Sequence, residues 1–426
     1  MENIDRKQIE KLMKESNVFC ILPFKHTLLQ PPGTATLCCM NPNSIMKDDK
    51  PIRWEEVDFE KDLWQGDTYQ RIRTNMINGT KSHECRKCYE MEDTGSSSYR
   101  NGQNNFELHR PEINNINIES GNDFKQPIDW DIRLSRLCNL MCRMCSPEES
   151  SQIAKEAENN PNAIPDYIPG PDFNYGEKNA TYILEALPNM KRLKILGGEP
   201  TLDPQVQRIL DEAIRIGKTD LRLDITSNLT NVTDKWLDSL GRFKEIQLQF
   251  SIDGVGKTNE YIRWPSKWTQ VEENIEKYLT FKAKTDTQWF LSFHQTISIY
   301  NIFDFWKVHE WVESLRVKDK YNRIENKAAV PWHTYVVHTP YDLDPRNVLQ
   351  TNHKKEILKE FNAYKPNIKN PTGFTGVQSI VTLLEDDSIS PTRVTSCKHR
   401  TDVIDKIRDA YVKDYIPEVW KVLNSG

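Results

Sequence analysis

Between Trp130 and Val336 the chain alternates six strand-like runs with six helix-like runs, and no other feature restricts its fold as much. The strand-like runs lie at 130–134, 191–196, 221–226, 245–251, 289–294 and 333–337. The helix-like runs lie at about 148–158, 177–187, 203–216, 232–240, 269–282 and 302–315. Alternation of this kind builds parallel β/α units, with helices packed on the strands. Six such units are too few to close an eight-stranded barrel, and loops after the strand ends are where parallel folds of this class hold ligands.

The flanks read differently. Residues 1–125 are polar and rich in turns, and Gly95-Ser96-Ser97-Ser98 with the Asn-rich stretch from Asn101 to Asn117 reads as linker. A chain of 426 residues exceeds one typical domain. The expected division is a cysteine-rich module over 1–125, an α/β domain over 126–340, and an extension over 341–426 packing on that domain. The extension carries helical runs from Lys355 to Phe361 and from Val403 to Leu423. The segment Asn159 to Gly176, with Pro161, Pro165, Pro169 and Pro171, reads as an insertion, either a surface loop or a lid.

Composition limits the function classes. Apolar residues make up 37%, charged ones 28%, and the net charge of −5 leaves no polybasic surface, so nucleic acid is not the expected partner. No apolar run approaches the ~20 residues a membrane span needs. The polar start from Met1 to Gln8 is unlike a signal sequence. Nine cysteines without such a signal favour thiolate ligands in a reducing compartment, so the expected location is the cytoplasm.

The cysteines cluster. The loop after the first strand-like run, Trp130 to Leu134, holds Cys138, Cys142 and Cys145 in a C-x3-C-x2-C spacing. Three thiolates on one short loop can take three corners of a four-iron cluster and leave the fourth iron open. A structural zinc site needs four closed ligands, and no further His or Cys lies within reach of this loop in the sequence. Next, Leu193-Lys194-Ile195-Leu196 runs into Gly197-Gly198-Glu199-Pro200, where two glycines permit close backbone approach and a carboxylate can accept from an ammonium group. Two more strand ends carry polar groups, Ser227-Asn228 and Ser251-Ile252-Asp253-Gly254, with Arg263 following. Taken singly, Ser-Asn and Asp-Gly read equally well as ordinary turn residues closing a strand or as ligand contacts.

Together the triple and the GGEP segment resemble the radical S-adenosylmethionine (radical SAM) superfamily. The resemblance implies a partial (β/α)6 barrel and a [4Fe-4S] cluster on Cys138, Cys142 and Cys145 whose open iron binds SAM. It implies that Gly197, Gly198 and Glu199 meet the methionyl amino group, and that Ser227, Ser251 and Arg263 meet the ribose and carboxylate. The position before the third cysteine is usually aromatic and packs near the adenine; here it is Met144, whose polarizable thioether can lie on a ring face.

The amino-terminal cysteines form a second set. Cys20, Cys38, Cys85 and Cys88 supply four ligands, enough to close around an iron-sulfur cluster or a zinc ion. Cys20, the Gly33-to-Cys38 spacing and the Cys85-x2-Cys88 pair resemble the twitch/SPASM module of radical SAM enzymes, placed here before the SAM domain instead of after it. That resemblance implies one auxiliary [4Fe-4S] cluster. Adjacent residues in extended chain point to opposite sides, so Cys38 and Cys39 are not expected to share a metal, and Cys38 is the expected ligand. Cys397 reads as a structural or exposed thiol, and as the first replacement should one of the four not bind.

The activity implied is reductive cleavage of SAM to a 5′-deoxyadenosyl radical, which removes hydrogen from a substrate. An electron donor such as flavodoxin or ferredoxin is the implied partner, and modules of this kind point to a peptide or protein substrate. Two alternatives stay open: a small-molecule substrate, and a binding protein stabilised by zinc whose barrel has lost catalysis. Trp264, Trp268, Trp289, Trp306, Trp311 and Trp332 read as core, and His294 sits at a strand end beside Gln295.

Overall fold

The computed structural model describes residues 4–30, 33–41, 43–48, 50–53, 57–95, 97–110, 113, 126–164, 176–315, 331–368, 374–386 and 391–424. It is a mixed α/β protein with mostly parallel strands, and the chain divides into two compact units.

The first unit comprises Met1–Ser135, Asp172–Gly197 and Gln205–Leu223. Its strands are β1 (His26–Gln30), β2 (Thr34–Thr36), a two-residue ribbon of β3 (Met46–Lys47) and β4 (Lys50–Pro51), β5 (Asp129–Arg133) and β6 (Arg192–Leu196). They lie in the order β6-β5-β1-β2, with β1 and β6 parallel to β5 and β2 antiparallel to β1. The period-two alternation of β5 sorts its side chains. Trp130 and Ile132 face apolar neighbours, Trp130 stacking on Phe59 at 4.9 Å between centroids. On the opposite face Asp129 pairs with Arg192 at 3.2 Å and Asp131 with Lys194 at 3.0 Å. Both carboxylates are buried, and each is met there by a basic side chain, as the burial of a charged group requires.

The linker reading of the segment from Asn101 is overturned: Tyr99–Glu107 is a helix. Its buried stripe is Arg100, Asn104 and Glu107. Asn104 accepts from Ile21 N–H at 3.0 Å and donates to the Phe19 carbonyl at 2.9 Å, Arg100 donates to the same carbonyl at 2.7 Å, and Glu107 accepts from Lys25 at 2.6 Å. Ser98, expected in the linker, caps this helix by accepting from Asn101 N–H. Residues 96, 111, 112 and 114–117 of the expected linker lie outside the described residues.

The second unit comprises Arg136–Pro171, Gly198–Pro204 and Asp224–Gly426. It holds β7 (Arg222–Ser227) from Asp224 onward, β8 (Glu245–Ser251), β9 (Gln288–Ile297), β10 (Trp332–Val336) and β11 (Phe374–Thr375), in that order across the sheet, with β8 to β11 parallel. In β8, Ile246, Leu248 and Phe250 are fully buried while Gln247 and Gln249 take the other face. Helices Ser151–Asn159, Asp234–Leu240, Trp268–Lys282 and Lys307–Ser314 lie between the strands in sequence. The first two start at Ser150 and Thr233, whose hydroxyls accept from Ile153 and Trp236 N–H.

All six expected strands and all six expected helices form, most within two residues of the sequence reading. The insertion is described only to Ile164, which packs into an apolar cluster; Pro165, Pro169 and Pro171 lie outside the described residues. The helical run from Val403 to Leu423 is not continuous. A helix over Val394–Arg408 stops at left-handed Asp409, with φ of 49°, and the next long one restarts at Pro417. Among the described residues no helix is long and apolar enough to cross a membrane.

Candidate functional site

Cys138, Cys142 and Cys145 occupy one loop of the second unit, between the end of β5 and helix Ser151–Asn159. The loop has few bonds of its own and is held by its neighbours. Met141 N–H donates to the Trp264 carbonyl at 2.6 Å, Arg143 N–H to the Ile262 carbonyl at 2.8 Å, and Ser150 Oγ to the Leu140 carbonyl at 2.7 Å. Such anchoring fixes the path of the backbone, and hence of three thiols that have no regular secondary structure to place them.

Three donors approach the sulfurs. Leu140 N–H lies 3.4 Å and Asn228 Nδ2 3.8 Å from Cys138 Sγ, and Arg263 Nη1 lies 4.0 Å from Cys142 Sγ. Without a metal the thiols are poor acids. Burial raises Cys138, takes Cys142 to about 12, and with the neighbouring Cys142 thiol pushes Cys145 well above its ordinary value. Thiolates crowded this way need cationic iron and nearby donors to hold their charge, and the donors are present. The set therefore fits three ligands of an iron-sulfur cluster.

The GGEP turn meets this loop. Gly198 has φ of 47°, its Cβ would collide with the Leu137 carbonyl, and Glu199 N–H donates to that same carbonyl at 2.7 Å. Gly197, with φ of 77°, brings backbone against Arg133, 2.8 Å from Arg133 Cβ to where its own Cβ would stand. Both glycines thus permit close approach of chain to chain.

Glu199 is 1% exposed and its carboxylate is well supplied with donors. Oε1 accepts from Ser227 Oγ at 2.9 Å, Thr201 Oγ1 at 2.8 Å and Thr201 N–H at 3.3 Å; Oε2 accepts from Asn228 N–H at 2.6 Å. Burial still raises its pKa, against the pull of these bonds. Ser227 and Glu199 are therefore brought together. Ser251 ends β8 on the same rung as His294 of β9, and His294 lies 4.9 Å from His333 and 5.8 Å from Tyr335 between ring centroids. Met144 is half-buried on the cysteine loop.

Sequence reading passed over Asp253 as a turn residue. It is fully buried, and its Oδ2 stands 2.7 Å from Arg263 Nε while Oδ1 accepts from Thr296 N–H at 2.7 Å. Burial opposes the Arg263 charge, but Asp253 and the Cys142 thiol outweigh it and hold the guanidinium above its usual value. Asn228, quoted only as a turn residue, donates to both Cys138 Sγ and Asn139 Oδ1. For Asp253 the available signal was an acidic residue at a strand end ten positions before Arg263; Asn228 meets Cys138 across 90 positions, and no local signal joins them.

The second set of thiols lies in the first unit. Burial pushes the Cys20 thiol well up, and the Cys38, Cys85 and Cys88 thiols beside it push it further. Burial likewise takes Cys38 and Cys85 to about 12. Cys39 is exposed and acts on the Cys38 thiol beside it, while Lys194, Asp131, Tyr99 and Arg133 act on Cys39 in turn. The Cys20 thiol therefore feels all three of the other expected ligands, and Cys38 feels Cys39 as well as Cys85. Among the described residues no group of three or more His, Cys, Asp or Glu is gathered tightly enough to hold a single metal ion. Cys397 is fully buried in helix Val394–Arg408 of the second unit.

Residues 132–290 match the model of the Radical SAM superfamily, so the chain carries a domain of that superfamily. No curated relative matches the sequence. Solved structures with detectable likeness include native anSMEcpe with bound AdoMet, at 13% identity over 54% of this chain and 58% of that one, with a TM-score of 0.36. SuiB of Streptococcus suis bound to S-adenosylmethionine aligns at 14% identity over 78% of this chain and 67% of its own, with a TM-score of 0.38. The radical S-adenosylmethionine methyltransferase TsrM of Kitasatospora setae aligns at 10% over 47% and 32%, with a TM-score of 0.31. The chain therefore spans under two thirds of the first of these. Likeness this weak says nothing about activity or substrate.

Proposed function

We propose that this chain reductively cleaves S-adenosylmethionine on a [4Fe-4S] cluster held by Cys138, Cys142 and Cys145, and uses the product to take a hydrogen atom from a peptide or protein. What carries the reading is the loop with three thiols inside the matched stretch, faced by the Leu140 amide, Asn228 and Arg263. Cys138, Cys142 and Cys145 would hold the cluster, which would supply the single electron needed for reductive cleavage of the S–C5′ bond of SAM.

The chain's own part is to bind and orient. Gly197, Gly198 and Glu199 receive the methionyl ammonium, with Glu199 Oε2, which accepts one bond where Oε1 accepts three, as the acceptor that remains. Ser227 and Ser251 serve the ribose, Arg263 the carboxylate, and Met144 the adenine face. Cys20, Cys38, Cys85 and Cys88 hold an auxiliary [4Fe-4S] cluster in a twitch/SPASM-like module over residues 1–125; residues 126–340 form a partial (β/α)6 barrel and 341–426 a C-terminal extension. A flavodoxin or ferredoxin supplies the electron in the cytoplasm. The peptide substrate rests on the module alone.

The test is anaerobic reconstitution with iron and sulfide, followed by an iron count and an assay for 5′-deoxyadenosine after adding SAM and dithionite. About eight irons per chain are expected, with cleavage that disappears in Cys142→Ala. Zinc in place of iron, or a full cluster without cleavage, overturns the reading.

A further inference from the structure

The cysteine loop is held from behind by residues more than 260 positions away in sequence, all within the second unit. Arg143, between Cys142 and Met144, has a fully buried side chain. Its guanidinium lies 3.6 Å from the centre of the Tyr261 ring. Nε donates to the Tyr261 carbonyl at 3.0 Å, and Nη2 donates to Asp405 Oδ1 at 2.7 Å and to the Ala410 carbonyl at 3.2 Å. Asp405 is fully engaged in turn, accepting from the Tyr261 hydroxyl at 2.7 Å and from Val412 N–H at 2.6 Å.

One turn further along the same helix, Arg408 grips Glu156 with two bonds of 2.8 and 2.7 Å and donates a third, of 2.7 Å, to the Met141 carbonyl. Ile404 packs with Ile153, Ala157 and Ile164, and Met141 and Cys145 lean on that cluster. Two guanidinium groups and two carboxylates are thus removed from water. Buried ion pairs of this kind add little net stability over apolar side chains, so their distinctive effect is to fix one geometry. Here the bonds end on the Met141 carbonyl and on Arg143, so the geometry fixed is the backbone path that sets Cys138, Cys142 and Cys145 apart.

We propose that Asp405 and Arg408 are positioning residues for the cluster-binding loop, holding residues 141–143 in the ligand-ready path before metal arrives. Loading of the cluster then depends on the segment 394–412, far outside the stretch that matches the superfamily model. This rests on the reading of the three cysteines as cluster ligands.

The test uses the full-length chain stripped of metal. Alkylation by iodoacetamide is followed at each cysteine by peptide mass, and in parallel the reconstituted protein is timed for iron loss to a chelator. Asp405→Asn and Arg408→Met should speed alkylation of Cys142 and Cys145 by about tenfold, because the loop then opens locally, and should shorten iron retention. Both substitutions could also unfold the unit, so the deciding variant is the pair Arg408→Met with Glu156→Leu, which removes both charges of that ion pair together, leaves the bonds on Asp405 in place and should bring the urea midpoint back toward the wild type. Positioning requires that alkylation stay fast in this pair while the midpoint recovers. Recovery of both would reduce the network to plain stability and overturn the proposal, as would single variants that alkylate like the wild type. A wild-type protein that takes up no iron would instead overturn the functional reading, while the alkylation comparison would still decide whether the loop is held.

Discussion

Asp253 Oδ2 stands 2.7 Å from Arg263 Nε, and the far nitrogen of the same guanidinium reaches to 4.0 Å from Cys142 Sγ. The carboxylate thus sets the orientation of a cation whose other edge faces a thiol. Asp253 is fully buried and the Arg263 side chain only 12% exposed, so neither charge can fall back on water. Asp253→Asn keeps the shape and the bond from Thr296 N–H but strands the guanidinium, and should cost about 3–5 kcal/mol, read from the urea midpoint. Combining it with Arg263→Gln should cost less than Asp253→Asn alone, since no buried charge is then left uncompensated. Costs that simply add would show that the ion pair is not the source of the effect.

Two glycines with left-handed backbone separate conformational strain from close contact. Gly217, at φ of 74° after helix Pro204–Arg215, has open space where a Cβ would go. Gly217→Ala should therefore cost only about 1 kcal/mol of backbone strain. Gly198→Ala adds a collision with the Leu137 carbonyl, one residue before Cys138, and should cost about 3 kcal/mol or more. Thermal unfolding of the two variants side by side gives the comparison. Equal losses would mean that the GGEP turn does not press on the cysteine loop as closely as the geometry indicates.

Legibility in the sequence followed locality. The run Ile246, Leu248, Phe250 announces β8 because its period is carried by apolar residues, and the same holds for the other five strands between 129 and 336. Helix Tyr99–Glu107 has an equally regular stripe, but it is Arg100, Asn104 and Glu107, buried because each meets a partner near Phe19 to Lys25. A reading that looks for apolar periodicity passes over it. The cysteine triple and the GGEP segment were visible as short motifs. Their supports were not: Asp405 and Arg408 lie in a helix with no motif of its own, and only folding shows that they close on Arg143 and Met141. The break at Asp409 depends on a left-handed residue in a run whose composition is helical throughout.

Cys38 and Cys39 are neighbours that share only part of their surroundings. The Cys38 thiol feels Cys39 and Cys85 and acts on Cys20, whereas the exposed Cys39 also feels Lys194, Asp131 and Tyr99. If the four amino-terminal thiols hold a cluster, Cys38→Ser should remove about four irons per chain from the reconstituted protein, and Cys39→Ser should remove none. Loss of iron in both, or in Cys39→Ser alone, would reassign the ligand. Cys39 is exposed and Cys38 partly buried, so the urea midpoint of each variant is read beside the iron count, and Cys38→Ser counts as loss of a ligand only where its midpoint holds.

His309 ties acid sensitivity to one place in the second unit. Its ring is 3% exposed, shares a 2.6 Å hydrogen bond between Nδ1 and the Tyr364 hydroxyl, and has Glu313 3.6 Å from Nε2. Burial lowers its pKa from 6.5 to about 4, the cation being the form that suffers. With the folded value depressed, the unfolded chain binds this proton first as pH falls. The contribution to stability is therefore full above about pH 6.5 and is lost progressively toward pH 4. At pH 5.5 the loss from this residue alone should be about 1.4 kcal/mol. His309→Phe gives up the bond to Tyr364 and so starts less stable at neutral pH, but its urea midpoint should fall less between pH 7.5 and 5.5 than that of the wild type. Parallel decline in the two proteins would place the acid sensitivity in other groups, and would mean that Glu313 keeps the His309 cation in solution-like balance.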